Sequence, residues 1–406
     1  MSPVFTRAAS PVYYKRGISL LNLLKTNNKQ RTTNFIVFPR TCNPHYNYPP
    51  SFISNPHLGF ISSSLYTKYH ILYTVFLFAY FIFLITTIIF FGSINSSATL
   101  FAAAKEEEIS KENILSKISL AAQWLTEQQR PDGSWPIVTQ DKRSSVVATG
   151  LFGLGTFNQT TLSSPNMENS LSFLLAHQHN EGYWKATSSF SWNKTEATTA
   201  ALYGLISSGY GYEEKAVEKG MDWLIKNQKS NGSWNDDCWD TCWALYLLLH
   251  SGCQISNSVI KSASLWLVND QRDDGSWKTN LPNLKQFEPL WTTPPVIFTL
   301  AQTGQHQNTI IKGLKYLKNK QNKNGSFGRK DASKTGLALL AFTSLSKYPG
   351  LTEEYQPEAQ KAVQWFLSNQ RRSGTWPGGF HPFNIIDTAF SIWGLNKFLL
   401  LSVSFP

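Results

Sequence analysis

One twelve-residue unit occurs six times between residues 124 and 376 of this 406-residue chain. Each copy has an aromatic residue, a Gln five positions later, a Gly four positions after the Gln, and a second ring two positions after the Gly. The repeated glycines are Gly133, Gly182, Gly232, Gly275, Gly325 and Gly374. Their spacing of 43 to 50 residues indicates an array of similar supersecondary units, because such periods are typical of stacked repeats.

Two helical patterns alternate within each unit. The stretch before the Gln is amphipathic, as in residues 116–129 (SKISLAAQWLTEQQ), and the stretch after the second ring is nearly all apolar, as in residues 242–252 (CWALYLLLHSG). An amphipathic helix covers a core with one face, whereas a helix that is apolar all round is buried. The pattern predicts an all-α fold in which six outer and six inner helices close into an (α/α)6 barrel, or toroid, over residues 112–402.

We interpret the Gln, the Gly and the second ring of each unit as structural residues. The Gly gives the backbone the freedom to turn after the outer helix. The Gln amide can bind backbone groups left open at a helix end, and the ring packs over the turn. Recurrence in every unit is what packing between neighbouring repeats requires.

The segment 71–91 (ILYTVFLFAYFIFLITTIIFF) has 21 residues and no charge, and a membrane-spanning helix needs about 20. Eight Lys or Arg residues precede it, and three Glu residues follow at 106–108. The positive-inside rule then places the N-terminus in the cytoplasm and the repeats across the membrane. We expect a basic, disordered or targeting segment at 1–68, a single-pass membrane helix or signal anchor at 69–92 and a linker at 93–111.

A second interpretation of the N-terminal region stays open. Residues 1–105 contain no acidic residue and many Ser, Thr and Asn residues, which is typical of an organelle transit peptide. The small residues Ala102, Ala103 and Ala104 then provide a cleavage site. On this interpretation the toroid lies in an organelle lumen after cleavage.

The composition excludes one class of partner and favours another. The formal net charge is +11, but the first acidic residue of the chain is Glu106, so the basic excess belongs largely to the N-terminal segment. We therefore expect no nucleic-acid partner. The 14 Trp residues indicate a large core or a ring-lined apolar pocket. Four Cys residues are too few for a disulfide scaffold.

The Gln–x–x–x–Gly–x–Trp unit resembles the QW repeat of squalene and oxidosqualene cyclases, over about residues 112–400. The six-hairpin toroid is shared, in this superfamily, with the β subunits of protein prenyltransferases. The resemblance implies a hydrophobic isoprenoid ligand, squalene-like or prenyl, at a membrane-anchored toroid. If the chain is an enzyme, the resemblance implies a terpene cyclase or mutase, which would be classed as an isomerase or lyase. The same fold hosts several chemistries, so the resemblance is more specific for fold than for activity.

The stretch 231–252 (NGSWNDDCWDTCWALYLLLHSG) combines acids, cysteines and rings. Asp240 lies where an inner helix is expected to begin, Asp237 precedes it, and Asp387 has the matching place in the sixth repeat. Acids at helix starts commonly cap free N–H groups. In class II terpene cyclisation a carboxylic acid protonates an alkene in a dry, ring-lined cavity, and rings hold the cation. The candidate catalytic residues are Asp240, Asp237 and Asp387.

The chain departs from the cyclase pattern in two respects. Cyclases carry a DxDD or DCTAE motif with the acid at its centre, and aligning residues 237–241 (DCWDT) with DxDDT puts Trp239 in that place. Cyclases also build their cavity between two toroid domains, whereas the repeats of this chain account for one. The sequence therefore leaves open a partner that supplies a second toroid or a helical subunit.

Two other functions stay open. A prenyltransferase β subunit holds zinc with an Asp-x-Cys pair and a His, and the matching set here is Asp240, Cys242 and His381, although this His is one repeat too distant. No other cofactor is expected. A non-catalytic toroid that binds a lipid or a partner protein needs only a ring-lined cavity. Candidate ligand-binding rings, which core packing also explains, are Trp192, Trp239, Trp243, Trp291 and Trp393.

Deleting residues 71–91 is expected to release the chain from the membrane fraction, because no later segment has 18 uncharged apolar residues in a row. The measurement is cell fractionation followed by a carbonate wash, with the intact chain as the control. A deletion variant that still sediments after the wash would mean that the repeats themselves insert.

Overall fold

The computed structural model describes residues 108–157, 166–187, 192–281, 288–379 and 384–402. By its internal contacts the chain divides into two units, Met1–Phe91 and Gly92–Pro406, and all the described residues belong to the second unit. These residues form helices and connecting turns, with isolated bridges but no β-strand among them. The all-α prediction is therefore confirmed.

Outer and inner helices alternate along the described chain. The outer helices are α1 (Lys111–Glu127), α3 (Met167–Ala176), α5 (Lys215–Lys226), α7 (Ser258–Asn269), α9 (Gln307–Lys320) and α11 (Pro349–Asn369). The inner helices are α2 (the π-helical Ala148–Leu154 continued by Gly155–Phe157), α4 (Lys194–Ser207), α6 (Cys238–His250), α8 (Pro289–Thr303), α10 (Ala332–Thr343) and α12 (Asn384–Ser402). Each inner helix contacts the inner helix of the next repeat, and α12 contacts α2, so six hairpins form a closed ring.

The repeated Gln and ring tie each turn to two outer helices. In the third repeat, Gln228 Nε2 donates to the carbonyls of Gly232 and of Val259 in α7, each at 2.9 Å. Trp234 Nε1 donates to the carbonyl of Leu224 in α5 at 2.8 Å. The same Gln bond to the next outer helix is made by Gln178, Gln271, Gln321 and Gln370. These contacts confirm the structural interpretation of the repeated unit.

The sixth repeat packs on the first through the same contact. Gln370 Nε2 donates to the carbonyl of Gly374 at 2.9 Å and to that of Lys117 in α1 at 2.8 Å. Gly374 has a φ of 92° and lies against α1, because a Cβ on it would approach the carbonyl oxygen of Leu120 at 2.4 Å. The last turn and the first outer helix therefore close the toroid.

A second recurring bond sets the start of the inner helices. The backbone N–H of Trp234 donates to Thr241 Oγ1 in α6 at 3.0 Å. The equivalent pairs are Trp135 with Thr149, Trp184 with Thr198, Trp277 with Thr293 and Phe327 with Thr335. Because this bond holds Thr241 in place at the start of α6, it also sets the direction of the side chain of Asp240, the preceding residue.

Two adjacent prolines do not disturb the fourth inner helix. We expect from the sequence that Pro294 and Pro295 disrupt its start. The structure instead shows both buried inside a continuous α8, which begins at Pro289, where proline is well tolerated. The neighbouring inner helices α6 and α10 pack against α8 and hold the segment helical.

Seven aromatic rings of the inner helices pack against one another, and we call them the ring plug. They are Phe152, Tyr203, Trp243, Tyr246, Phe298, Phe390 and Trp393. Helices α6 and α12 belong to repeats three and six, which lie on opposite sides of the toroid because it is a closed circle of six repeats. The ring centroids of Trp243 and Phe390 are nevertheless only 6.3 Å apart. Contact between opposite helices means that the plug fills this part of the axis.

The predicted membrane helix at 69–92 and the predicted targeting segment at 1–68 lie outside the described residues. Among the helices that the structure describes, none is both long enough and apolar enough to cross a bilayer.

Gly232→Ala and Gly209→Ala form a matched test of the turn-to-helix contact. Both glycines have positive φ, 95° and 96°, and an Ala there costs roughly 1–2 kcal/mol in strain. A Cβ on Gly232 would also lie 2.4 Å from the carbonyl oxygen of Ser262, whereas Gly209 has open space around it. We expect Gly232→Ala to lose about 1–3 kcal/mol more than Gly209→Ala in urea unfolding. Equal losses would show that the turn does not pack on α7 as described.

Candidate active site

The start of α6 is capped by Asp237. Its Oδ1 accepts from the backbone N–H groups of Trp239 at 2.8 Å and Asp240 at 3.3 Å. Its Oδ2 accepts from Thr279 Oγ1 at 2.8 Å and from the backbone N–H of Asn280 at 2.7 Å. Both oxygens are occupied, so Asp237 joins α6 to the loop after the fourth turn and has the geometry of a structural cap.

The Asp240 carboxyl is hydrogen-bonded at one oxygen and buried without a partner at the other among the described residues. Asp240 is 1% exposed, in the first turn of α6. Its Oδ2 accepts from Asn193 Nδ2 at 2.8 Å and from Asn235 Nδ2 at 2.6 Å. Its Oδ1 has no hydrogen-bond partner among the described residues. An acid held in this way can carry its proton only on Oδ1, because both N–H donors point at Oδ2.

The loop before α6 brings Asn235 to this carboxyl. Asn235 and Asp236 have φ values of 57° and 52°, the left-handed region that Asn and Asp tolerate better than most residues. Besides its bond to Asp240, the Asn235 amide donates to Thr195 Oγ1 at 3.1 Å. The loop conformation thus links the first turn of α4 to the Asp240 carboxyl.

Asp240 lines a pocket at the N-terminal ends of three inner helices. The lining residues are Val147, Leu151, Phe152, Trp192, Glu196, Thr199, Ala200, Trp239, Asp240 and Trp243. The cavity has a volume of about 20 Å³, room for about one water-sized group. The structure therefore brings three predicted rings, Trp192, Trp239 and Trp243, to the predicted acid.

Burial controls the protonation of this pocket. It raises the pKa of Asp240 to about 7, with a further rise from the Asp237 charge, against the lowering effect of the Asn235 and Asn193 amides. Asp240 is thus available as a neutral acid near neutral pH. No ion pair among the described residues involves its carboxyl.

Glu196 is a second buried carboxyl in the pocket. It forms a capping box with Asn193: the Asn193 backbone N–H donates to Glu196 Oε2 at 2.8 Å, and the Glu196 N–H donates to Asn193 Oδ1 at 3.0 Å. Burial and the neighbouring Asp240 charge raise the pKa of Glu196 well above its usual value. Asn193 therefore connects the two carboxyls, with its backbone on one and its amide on the other.

Asp387 lies elsewhere in the toroid and does not line this pocket. Its Oδ1 accepts from the hydroxyl of Ser333. Burial, together with the charge of Asp331, raises its pKa to about 8. The backbone of Gly378 covers the carboxyl, because a Cβ on this glycine would overlap its Oδ2. Asp387 is therefore a buried acid between repeats five and six, without access to the pocket.

The two remaining candidate rings lie away from the pocket. Trp291 and Trp393 are buried in α8 and α12 and do not line it. Trp393 Nε1 donates to Thr156 Oγ1 at 2.9 Å, as a core residue. The burial of both rings is consistent with core packing, and their predicted ligand-binding role stays a prediction.

The described residues do not fit the zinc set. Cys242 is fully buried, its Sγ donates to the carbonyl of Trp239 at 3.2 Å, and burial raises the pKa of the thiol well above its usual value. Zinc binds the thiolate, which this environment disfavours. The third candidate, His381, lies outside the described residues. No group of three His, Cys, Asp or Glu side chains within the described ranges could hold a metal ion.

A second pocket lies at the C-terminal ends of α10 and α12, against α11. It has a volume of about 260 Å³. Its lining residues, none of them charged, are Ile109, Phe342, Thr343, Thr352, Gln356, Ala359, Gln360, Phe398 and Leu401. This pocket contains none of the predicted site residues.

Sequence reasoning did not select the residues that hold Asp240. The pair Asn193 and Glu196 has the spacing of a capping box, which is a readable signal for the start of α4. Nothing in the sequence indicates that the Asn193 amide reaches 47 positions along the chain to Asp240. Asn235 carries no signal at all, because its role depends on the left-handed loop.

Asp240→Asn is expected to gain stability relative to the wild type as the pH rises. The usual pKa of 3.8 applies to the unfolded chain, whereas that of Asp240 in the native state is about 7. The native state therefore binds the extra proton, and this stabilisation is complete below about pH 4 and lost as the pH rises through 7. Asn cannot titrate, so the difference in unfolding free energy should change by up to about 4 kcal/mol between pH 4 and 8.

The measurement is urea unfolding of both proteins across this pH range. Asp387→Asn is the matched control, whose change should extend to a higher pH because the pKa of Asp387 is about 8. A difference between Asp240→Asn and wild type that does not vary with pH would show that the carboxyl is ionised or solvated in the native state.

The family model of the squalene-hopene cyclase C-terminal domain matches residues 137–238, which run from the first turn to the first residue of α6. A search of curated protein sequences found no match. The match ends two residues before Asp240, so of the three inner helices around the pocket it covers α2 and α4 but only the first residue of α6.

Solved structures of other proteins share the fold. A protein from Actinoplanes is 16% identical, with a TM-score of 0.57 over 70% of this chain and 99% of its own. A variant of the type II terpene cyclase MstE from Scytonema, in complex with the substrate geranylgeranyl dihydroxybenzoate, is 15% identical, with a TM-score of 0.57 over 71% of this chain and 98% of its own.

A possible member of the GH105 family from Klebsiella pneumoniae is also similar, at 12% identity and a TM-score of 0.51 over 73% of this chain and 95% of its own. Identities this low show a common fold and not a common activity. Together with the family match, they confirm the resemblance noted in the repeats: this chain has the helical toroid fold of the squalene cyclase and protein prenyltransferase superfamily.

Proposed function

We propose that the toroid protonates an alkene of a hydrophobic isoprenoid and thereby starts a class II cyclisation. One observation carries the proposal. The buried acid Asp240 lines a ring-lined pocket, with Oδ2 held by two amides and Oδ1 without a partner among the described residues. The chemistry needs a neutral acid in a dry cavity, and the pKa of about 7 supplies the neutral form.

The reaction begins with proton transfer from Asp240 Oδ1 to a carbon of the alkene. The π electrons form the new C–H bond, and the adjacent carbon becomes a cation. A second alkene of the same chain attacks this cation and closes a ring. Loss of a proton, or capture of water, ends the sequence. The product of proton loss is an isomer of the substrate, because one proton enters and one leaves.

Two features of the pocket favour this step. The amides of Asn193 and Asn235 stabilise the carboxylate that remains after proton transfer, which makes Asp240 a stronger acid than burial alone would leave. The faces or edges of Trp192, Trp239 and Trp243 line the space that the cation enters. Aromatic faces attract cations, by about 2 kcal/mol or more where water is excluded.

The nature of the ligand is supported by the structural neighbours. MstE binds geranylgeranyl dihydroxybenzoate as its substrate, so a toroid of this size accommodates a prenylated molecule. A single toroid therefore suffices for such a ligand in that protein. We propose a prenyl chain, rather than a polar substrate, for the pocket of this chain, since its lining is mostly apolar.

We also propose that the toroid is anchored in a membrane through residues 71–91, with the N-terminus in the cytoplasm. The support is the uncharged length of this segment and the basic residues before it. A membrane location suits a hydrophobic ligand. The organelle lumen after transit-peptide cleavage is the alternative location.

A lipid-binding toroid without catalysis is the second candidate function. The observation that favours it is the larger pocket against α11, whose lining combines apolar side chains with Thr and Gln side chains and contains no charged residue. Such a pocket can hold a hydrophobic chain but has no acid to act on it.

The test is incubation of the full chain with geraniol, farnesol and geranylgeranyl dihydroxybenzoate in deuterated water. Alkene protonation by Asp240 is expected to leave one deuterium on the cyclised product. Asp240→Asn should lower the rate by about 10²–10⁴-fold while ligand binding persists, because the amide cannot donate an acidic proton. The wild-type rate should fall about tenfold per pH unit above pH 7, as Asp240 ionises.

Asp387→Asn is the matched control, since it removes another buried acid of raised pKa that does not line the pocket. Its rate should stay within a few-fold of the wild-type rate. Binding of all three ligands without any deuterated product would overturn the cyclase proposal in favour of a lipid-binding toroid.

A further inference from the structure

We propose that the pocket against α11 binds a small neutral alcohol, at a site separate from Asp240. The proposal rests on the pocket that favours the second candidate function, and it narrows the ligand from a hydrophobic chain to an uncharged molecule that donates one hydrogen bond. It does not depend on alkene protonation, because the two pockets lie at opposite ends of the inner helices and share no lining residue.

The volume of the pocket sets the size of the ligand. It is about 260 Å³, whereas close-packed protein interiors contain few voids larger than a water molecule. An engineered cavity of about 150 Å³ in another protein holds benzene, a ring of six carbons. By the same proportion, the pocket against α11 holds about ten non-hydrogen atoms.

The buried part of the lining suits an apolar, uncharged body. Phe342 at the end of α10, Ala359 of α11 and Phe398 of α12 line the pocket and are buried. No residue of the lining is charged. An ion would enter the pocket without a counter-charge, and burying an unpaired ion costs far more than burying a neutral polar group. The ligand is accordingly neutral.

Two threonine hydroxyls set the hydrogen-bonding character of the site. Thr343 Oγ1 donates to the carbonyl of Leu339 at 2.7 Å, and Thr352 Oγ1 donates to the carbonyl of Leu345 at 2.8 Å. Both threonines line the pocket. A hydroxyl has one proton and two acceptor lone pairs, so each threonine has used its proton within the fold and offers only acceptors to a ligand. The matching group on a neutral ligand is a donor, which a hydroxyl supplies.

The other polar groups of the lining lie at its outer edge. Gln356 and Gln360 follow Thr352 at intervals of four residues, so the three side chains share one face of α11. Both glutamines are exposed, and water competes for their amides, whereas Thr343 is 1% exposed. A hydrogen bond to the threonines therefore discriminates between ligands more strongly than a bond to the glutamines.

The experiment compares 1-nonanol with its isomer methyl octyl ether, which has the same atoms but no O–H donor. Dissociation constants are measured on the full chain in lipid nanodiscs, by headspace gas chromatography of the free ligand, with empty nanodiscs as the blank. The quantity of interest is the ratio of variant to wild-type dissociation constant for each ligand, because the intrinsic hydrophobicity of the ligand cancels in this ratio.

Thr343→Val combined with Thr352→Val removes both acceptors and keeps the shape of the side chains. We expect 1-nonanol to bind about fivefold more weakly, the effect of one lost hydrogen bond, and the ether to stay within about twofold of its wild-type value. If the double variant does not fold, the two single variants replace it, and one of them should show this selective loss. Melting temperature identifies the folded variants.

Thr199→Val is the matched control. Thr199 is also a buried inner-helix threonine, but it lines the Asp240 pocket. Its dissociation constants for both ligands should stay within about twofold of the wild-type values. A selective loss of 1-nonanol binding in this control would place the alcohol beside Asp240 and overturn the proposal.

Nonanoate at pH 8 tests the neutral character of the ligand. The wild-type chain should bind nonanoate at least about tenfold more weakly than 1-nonanol, since no residue of the lining balances its charge. Equal or tighter binding of nonanoate would contradict the assignment.

Two further results would refute the alcohol site. One is the absence of saturable 1-nonanol uptake by the wild-type chain above the blank. The other is an equal ratio for alcohol and ether in the folded threonine variants, which would leave intact the binding of a hydrophobic chain in the second candidate function. Neither result bears on the cyclase proposal, because these saturated ligands have no alkene to protonate and the measurement reads binding alone.

Discussion

The hydrogen bonds of one Gln side chain per repeat hold the toroid together. Each Gln amide binds the carbonyl of its own turn, and in the last five repeats it also binds a backbone carbonyl of the next outer helix. In the sixth repeat this partner is Lys117 of α1. Losing this amide removes two hydrogen bonds at once, one within the turn and one to the neighbouring repeat. The closed ring follows from repeating one local contact.

The acid site depends on the same framework. The bond from Trp234 to Thr241 fixes the first turn of α6, and Asp237 caps it with both oxygens. Asp240 is then held between two repeats, with one amide from the loop before α4 and another from the loop before α6. Its raised pKa is a consequence of burial without a cation nearby, and the two amides leave Oδ1 without a partner among the described residues.

Comparison of Asp240 with Asp387 shows why a raised pKa alone does not define a site. Both carboxyls are buried at inner-helix starts, and burial raises the pKa of each. Asp387 lies beneath the backbone of Gly378, whereas Asp240 opens on a pocket with three Trp rings. Access to a cavity, and not acidity, separates the two acids, since a proton donor has to reach the reacting carbon.

The sequence by itself determined the six hairpins, because a period of about 50 residues and two hydrophobic patterns per period have few other solutions. It also indicated Asp240 and three of the five candidate rings, Trp192, Trp239 and Trp243. Only the tertiary structure decided that Asp237 is a cap, that Asp387 is enclosed and that Asn193 and Asn235 hold the acid. Repeats encode local contacts, which recur and can be read from the sequence, whereas a site joins side chains from several repeats whose meeting depends on loop conformation and ring closure.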